Sequence, residues 1–237
     1  MRFKDKIALV VGGTSGIGLA TVKLLLSEGA RVIALGRRRA AVGEALVADV
    51  SRPEELARAM AQIRARHGRL DVLVIAAGVS SAPAIEALDV GAYDALMNVN
   101  CRGAVFAFVH ALPLLAEKAA VVFVGSVGGR KGQPGDPLYA ASKAFIRGFV
   151  RSAGTAPELL ARGIRVNAVA PGPIDTPLTV AATRSPEVRA YVEEQLVPMR
   201  RWGEADEVAA AIAFLASADA SFTTGAELTV DGGMAHG

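Results

Sequence analysis

Cysteine, aromatic residues and clustered charge are all scarce in this 237-residue chain. Its one cysteine, Cys101, excludes an intrachain disulfide and any metal site built from several thiolates; its apolar setting reads as a buried thiol in a reducing compartment. The formal net charge is only +3, and no Lys/Arg stripe is interleaved with the few aromatics, so no nucleic-acid partner is expected. No stretch reaches the roughly 18 uninterrupted apolar residues of a membrane span. The first residues, Met1-Arg2-Phe3-Lys4-Asp5-Lys6, lead into a strand without an apolar leader, which sets the expectation of a cytoplasmic chain with no membrane partner.

What the chain has is aliphatic: 52% of it is hydrophobic and 21% charged, against 5% aromatic. Short apolar runs recur at 7–11, 31–35, 45–49, 72–76, 120–125, 164–170 and 226–230, and each reads as a strand. The runs are continuously apolar, not alternating, so both faces of the sheet must be covered. The expectation is an α/β, Rossmann-type doubly wound sheet of seven mostly parallel strands with helices on both faces. Helices are expected over 16–29, 53–66, 92–116, 137–161 and 204–217; Ser51, Pro53, Glu54 and Glu55 form a start signal for the second. Residues 1–237 read as a single dinucleotide-binding oxidoreductase domain, with a mobile, Pro- and charge-rich excursion near 173–203 that closes over substrate.

The first strand runs into Gly12-Gly13-Thr14-Ser15-Gly16-Ile17-Gly18 and then into an apolar helix. Gly12 suits a tight turn, Gly16 lets backbone approach a pyrophosphate, and Gly18 lets helix pack on strand, while Thr14, Ser15 and Ile17 lie in the amide-rich loop that faces the anion. Strand before and helix after make this a dinucleotide site and not a flexible turn. The second strand ends at Gly36 and is followed by Arg37-Arg38-Arg39, where an NAD-preferring site needs a carboxylate for the ribose hydroxyls. The arginines are either a solvated turn or partners of a 2′-phosphate; the second reading makes NADP(H) the expected cofactor and NAD(H) the less favoured one.

Further along stand Ser126 and Tyr139-Ala140-Ala141-Ser142-Lys143. Tyr139 and Lys143, four apart on a helix, share a face, and an ammonium beside a phenol favours the phenolate that a proton relay needs. No metal site is expected.

With these motifs the chain resembles the short-chain dehydrogenase/reductase family, in its simple single-domain branch, over essentially its whole length. The resemblance implies Tyr139 as general acid/base, Ser126 as the group orienting the carbonyl oxygen, Lys143 as ribose ligand and modulator of Tyr139, and Asn100 as holder of a relay water. A packing role is the alternative for Asn100. It further implies that Asp49-Val50 meets the adenine, with a strand-end cap as the alternative for Asp49. Pro171, Gly172, Ile174 and Thr176 then hold the nicotinamide half, and Ala77 and Gly78 contact the cofactor through backbone. The chain departs from the family pattern at Val11, where threonine is usual, at Ile75-Ala76-Ala77-Gly78 in place of Asn-Asn-Ala-Gly, and between Arg37 and Asp49, where a full helix is usual and there is room for barely one turn.

The resemblance implies transfer of a hydride between nicotinamide and a small ketone, aldehyde or secondary alcohol. The alternatives are a 3-oxoacyl-thioester reductase of fatty-acid type, for which Arg102 and Arg130 give some basic surface, and a noncatalytic NADP-binding regulator. Substrate contacts are expected from 79–88, 127–138 and 176–202, with Ile85, Leu138, Leu178, Val180 and Trp202 as apolar candidates; Arg130 and Lys131 either attract an anionic substrate or are solvated. The small-residue-rich helices at 102–116 and 142–160 match the paired helices of family dimers and tetramers, so a homo-oligomer is expected.

Overall fold

The computed structural model describes residues 1–80, 83–133 and 135–235. Every residue of β1 (Ile7–Val11) and β4 (Leu70–Ile75) is buried, as continuous Val/Ile/Leu runs require when both sheet faces are covered. Around them lie β2 (Arg31–Gly36), β3 (Glu44–Val47), β5 (Leu115–Val124), β6 (Arg165–Pro171) and β9 (Glu227–Val230), in the order β3-β2-β1-β4-β5-β6-β9 with every neighbouring pair parallel. The chain leaves β1 in one direction toward β2 and β3, and the other strands lie beyond β4. The crevice at the carboxyl ends of β1 and β4 is therefore the switch point where doubly wound sheets bind ligands.

Side-chain alternation divides the core in two. Leu9, Val11, Leu73, Ile75 and Phe123 face one side with residues of α2 (Pro53–His67), α4 (Ala104–Ala111) and α6 (Pro137–Ala153). Ala8, Val10, Val72, Val74 and Val122 face the other with α1 (Gly16–Ser27) and α10 (Ala205–Ala216). On the first side Phe108, Phe123 and Phe149 meet edge to face at centroid separations of 5.7–5.9 Å.

Several boundaries differ from the sequence expectation, each for a local reason. The strand expected at 45–49 is Glu44–Val47, because Asp49 turns the chain: its carboxylate accepts from the Ser51 amide (2.9 Å) and hydroxyl (2.8 Å). Ser51 is thereby used up and does not cap α2, whose N-cap position is Arg52; Glu55 reaches back to the Asp49 amide instead (2.8 Å). The helix expected at 92–116 is a composite: α3 (Val90–Met97), a wide π turn Asn98–Gly103, α4, and a 3₁₀ turn Leu112–Leu114 containing Pro113. Val90–Leu114 has the length and mean hydropathy (1.2) of a membrane span, but Leu96, Ala104, Ala107, Phe108, Ala111 and Leu114 are buried in the fold. Strand β5 starts at Leu115, earlier than expected, with a register shift against β4 and Lys118 at φ 61°. The helix expected at 137–161 ends at Ala153, since Ala156 precedes Pro157 and is extended (ψ 121°); a one-turn α7 (Pro157–Leu160) follows.

The region expected as a mobile excursion is organised. Two-residue strands β7 (Ile174–Asp175) and β8 (Gly203–Glu204) pair in parallel at its base, and between them come α8 (Val180–Thr183), α9 (Pro186–Tyr191) and a π turn Val192–Leu196. Val192, Val197 and Trp202 form a small core within it.

Candidate active site

Backbone shape builds the phosphate side. Gly12, at φ 86°, turns the chain out of β1, and a Cβ there would stand 2.5 Å from the Ala77 amide nitrogen, so only glycine lets the first loop meet the strand-end loop of β4. Helix α1 then starts at Gly16 with its free amides turned to the crevice. Across it, Thr176 at the base of the excursion sits against Gly16, where an added Cβ would meet the threonine Cβ at 3.4 Å.

These walls enclose a cleft of about 640 Å³. Gly12, Thr14, Ser15, Gly16, Ile17, Gly18, Arg37, Arg38, Asp49, Val50, Ala77, Gly78, Ser126, Tyr139, Lys143, Pro171, Gly172, Ile174 and Thr176 all line it. Val79, at the start of the 79–88 segment expected to touch substrate, also lines it, as do Val99, Val124 and Gly125, which were not singled out from sequence. Of the apolar residues expected to face substrate, Leu178 lines the cleft. Trp202 does not: it is 5% exposed in the excursion's own core. Leu138 is buried at the start of α6, and Ile85 and Val180 stand exposed outside the cleft walls. Ser81, Ala82 and Pro134, within the segments expected to touch substrate, lie outside the described residues.

At the end of the cleft beside β2, a Cβ on Gly36 would meet Thr14 Cγ2 at 2.7 Å and Oγ1 at 2.9 Å. The space beside Gly36 thus belongs to the Thr14 side chain, and a carboxylate at position 36 would displace it. Arg37 and Arg38 line the cleft with exposed side chains. Burial tends to raise the Asp49 carboxyl, but the Ser51 hydrogen bonds and the Arg37 charge hold it below its usual range. No helix forms between β2 and β3; Ala40 and Val42 of the short connection pack on the core in its place.

The chemistry gathers at the ends of β4 and β5. Helix α6 begins at Pro137 under an Asp136 cap whose carboxylate accepts from the Tyr139 amide (3.1 Å), placing Tyr139 in the first turn and Lys143 one turn on. Lys143 is 6% exposed; its Nζ donates to the Val124 carbonyl (3.1 Å) and lies 5.5 Å from the Tyr139 ring centre. Burial pulls its pKa down to about 8. Burial pushes the Tyr139 phenol up, the neighbouring Ser126 hydroxyl lowers it, and Asp136 pushes it up further. In the chain by itself the phenol therefore stands above its ordinary value, in contrast to the lowering expected from Lys143. The Ser126 hydroxyl accepts from the Gly128 amide (3.1 Å).

Asn100 lies behind the cleft wall, in the π turn that widens the helix there. Its Oδ1 accepts from the Val79 amide (2.8 Å), and its Nδ2 donates to the Val79 carbonyl (2.9 Å) and the Ser142 hydroxyl (3.0 Å). The amide clamps the 78–80 segment onto α6. Arg130, expected as solvated or substrate-attracting, donates to Thr229 Oγ1 (3.2 Å), and Lys131 donates to the Met234 carbonyl (3.0 Å), so both tie the turn after Ser126 to the C-terminal segment. Arg102 donates to the Ser51 carbonyl (2.9 Å).

A doubly wound parallel sheet with a glycine loop and a Ser/Tyr/Lys group at its switch point defines a dinucleotide-dependent oxidoreductase architecture. The family model described as enoyl-(acyl carrier protein) reductase matches residues 11–235. A 3-oxoacyl-[acyl-carrier-protein] reductase of Thermotoga maritima is 36% identical over 99% of both chains. Cis-4-hydroxycyclohexanecarboxylate dehydrogenase of Sinomonas cyclohexanicum is 39% identical over 98% of this chain and 97% of its own. The ligand-free structure of Thermoplasma acidophilum aldohexose dehydrogenase superposes with a TM-score of 0.90 at 32% identity, covering 98% of this chain and 94% of that one. The chain belongs to the short-chain dehydrogenase/reductase family and is an oxidoreductase of that family.

Proposed function

We propose that this protein is an NADP(H)-dependent carbonyl reductase and alcohol dehydrogenase acting on small ketones, aldehydes or secondary alcohols. The observation that carries the reading is the convergence of Ser126, Tyr139 and Lys143 on the same cleft as the glycine loop and Arg37. The cleft fits a dinucleotide: Gly12 leaves a cradle that a side chain would fill, α1 offers amides to a pyrophosphate, and Arg37 and Arg38 line the wall at the end of β2, where they would pair with a 2′-phosphate. When bound, the cofactor supplies or accepts the hydride at the carbonyl carbon.

The chain's own groups handle the oxygen. Tyr139 gives its proton to the carbonyl oxygen in reduction and takes it back in oxidation, and Ser126 donates a hydrogen bond that fixes that oxygen. Lys143 would hold the ribose hydroxyls of a bound cofactor, and its charge, together with that of an oxidised nicotinamide, would oppose the burial that keeps the phenol protonated. Leu178 supplies apolar wall for the substrate.

A direct test is NADPH and NADH consumption by pure protein over aromatic ketones, diketones, sugars and acyl thioesters. Tyr139→Phe is expected to keep cofactor binding and to lose about 10²–10⁴-fold in turnover; unchanged turnover removes Tyr139 from the chemistry. A second reading, reduction of 3-oxoacyl thioesters, draws support from the full-length likeness to the Thermotoga maritima enzyme. Thioester turnover exceeding that of free ketones decides for it.

A further inference from the structure

Tyr139 is flanked on its own helix by two charges of opposite sign, and only one of them, Lys143, belongs to the chemistry proposed above. The other is Asp136, three residues before the phenol. Its two carboxylate oxygens have different duties: Oδ1 accepts from the Tyr139 amide (3.1 Å) and Oδ2 from the Ser80 hydroxyl (2.9 Å). Ser80 follows Val79, the residue clamped by Asn100, and Gly78 lies close enough that an added Cβ would stand 3.4 Å from both Asn100 Oδ1 and Lys143 Nζ. Asp136 thus joins the first turn of the catalytic helix to the loop forming the opposite wall of the cleft.

We propose that Asp136 is a positioning residue for Tyr139: it caps the catalytic helix, anchors the 78–80 segment through Ser80, and keeps a carboxylate one helical turn from the phenol on the side that favours its proton-donating form. The proposal rests on the reading of Tyr139 as the acid/base. The groups acting on the phenol from each side fit it. The segment after β5 contributes the Ser126 hydroxyl, which is uncharged; the π turn contributes Asn100 and the Cys101 thiol, whose pKa burial raises to about 11, leaving it neutral. The 78–80 segment contributes a hydroxyl; Arg130 and Lys131, on the turn packed against α6, are held by Thr229 and the Met234 carbonyl; and the charges shown beside the phenol are Asp136 at the helix cap and Lys143 on α6. The direction agrees as well, since Asp136 acts to raise the phenol.

An amide at this position separates cap from charge, because asparagine caps a helix about as well as aspartate. Asp136→Asn is expected to fold with wild-type stability and to shift the acid limb of alcohol oxidation, and the basic limb of carbonyl reduction, to lower pH by about 0.5–1 unit. Asp136→Ala is expected to show the same displacement together with a lower melting temperature. The limb positions decide: if Asp136→Asn changes rate or KM while both limbs stay where the wild type has them, the residue is only structural and the proposal is overturned. A second readout needs no turnover. The Tyr139 ring, followed by NMR of ζ-¹³C-tyrosine protein and identified by its loss in Tyr139→Phe, is expected to titrate at lower pH in Asp136→Asn; an unmoved titration also overturns the proposal. If Tyr139→Phe retains turnover while the ring titration moves, the acid/base reading fails and the electrostatic link to Asp136 stands.

Discussion

Lys143→Met separates what the fold wants from what the site needs. The wild-type ammonium is almost fully buried, donates one hydrogen bond, to the Val124 carbonyl, and has its pKa drawn down to about 8 from the ordinary 10.5. A displacement of about 2.5 units at 1.36 kcal/mol each means that the charged side chain costs the native state on the order of 3 kcal/mol. Below pH 8 the lysine is protonated in both folded and unfolded chains and that cost is present in full. Between pH 8 and 10.5 the unfolded chain binds the proton more readily than the folded one, so wild-type stability rises with pH and the cost disappears.

A methionine of similar length carries no such cost and forfeits the Val124 hydrogen bond, worth about 1 kcal/mol. Without cofactor, at pH 7, Lys143→Met is expected to be more stable than wild type by about 2 kcal/mol, or roughly 4–8 °C in melting temperature for a chain of this size, while losing reductase activity. Urea unfolding from pH 7 to 11 measures it: the advantage should shrink as pH rises and reverse by about 1 kcal/mol above the unfolded chain's lysine pKa. A variant less stable than wild type at pH 7, or an advantage that ignores pH, refutes the argument that burial governs this group.

Arg37→Ala/Arg38→Ala is expected to raise KM for NADPH about 10–100-fold, the loss of one or two charge-assisted hydrogen bonds, and to leave KM for NADH nearly unchanged; equal effects on both cofactors remove the 2′-phosphate role. We also infer self-association through the helix faces that expose Phe106, Val109 and Phe145. Sedimentation at micromolar concentration should show a dimer or larger species, and Phe106→Glu/Val109→Glu should dissociate it; a monomeric wild type defeats the inference.

The parts of the site legible in the sequence are those fixed by short covalent spacing. Gly12 through Gly18 and Tyr139 through Lys143 each occupy one turn-and-helix unit, so the order of residues sets their geometry once strand and helix are recognised. The strands were legible because both faces are buried, which makes each a continuous Val/Ile/Leu-rich run too short for a helix. Contacts that join distant segments were not. Ser80 and Asp136 are 56 residues apart, and no local pattern announces their hydrogen bond. A helix start at 137 was legible, but Asp136 was not assigned as its cap, and the partner of the second carboxylate oxygen carries no local signal at all. The π turn at Asn98–Gly103 was hidden because one widened turn does not disturb the apolar periodicity that marks a helix. Trp202 was misplaced because the 173–203 excursion has a core of its own, and a lone aromatic in a loop does not reveal whether it faces a cleft or that smaller core.

The electrostatics of the phenol bring these pieces together. Tyr139 lies in the first turn of α6, where the unpaired amides favour an anion. The Lys143 ammonium, 5.5 Å from the ring centre, has the sign that favours it too, but does not lower the phenol in the chain by itself. Against them stand burial and the Asp136 carboxylate, both of which favour the neutral phenol. Groups at one end of a rigid helix therefore bear on the same proton with opposite sign, and on the proposed function the balance would shift with the charge of a bound nicotinamide: a positive ring would favour the phenolate that accepts a proton from an alcohol, and a neutral one would leave the phenol able to donate to a carbonyl. On the proposal above, Asp136 at the helix start adds to burial in holding the phenol neutral, and so sets the pH at which Tyr139 changes from proton donor to proton acceptor.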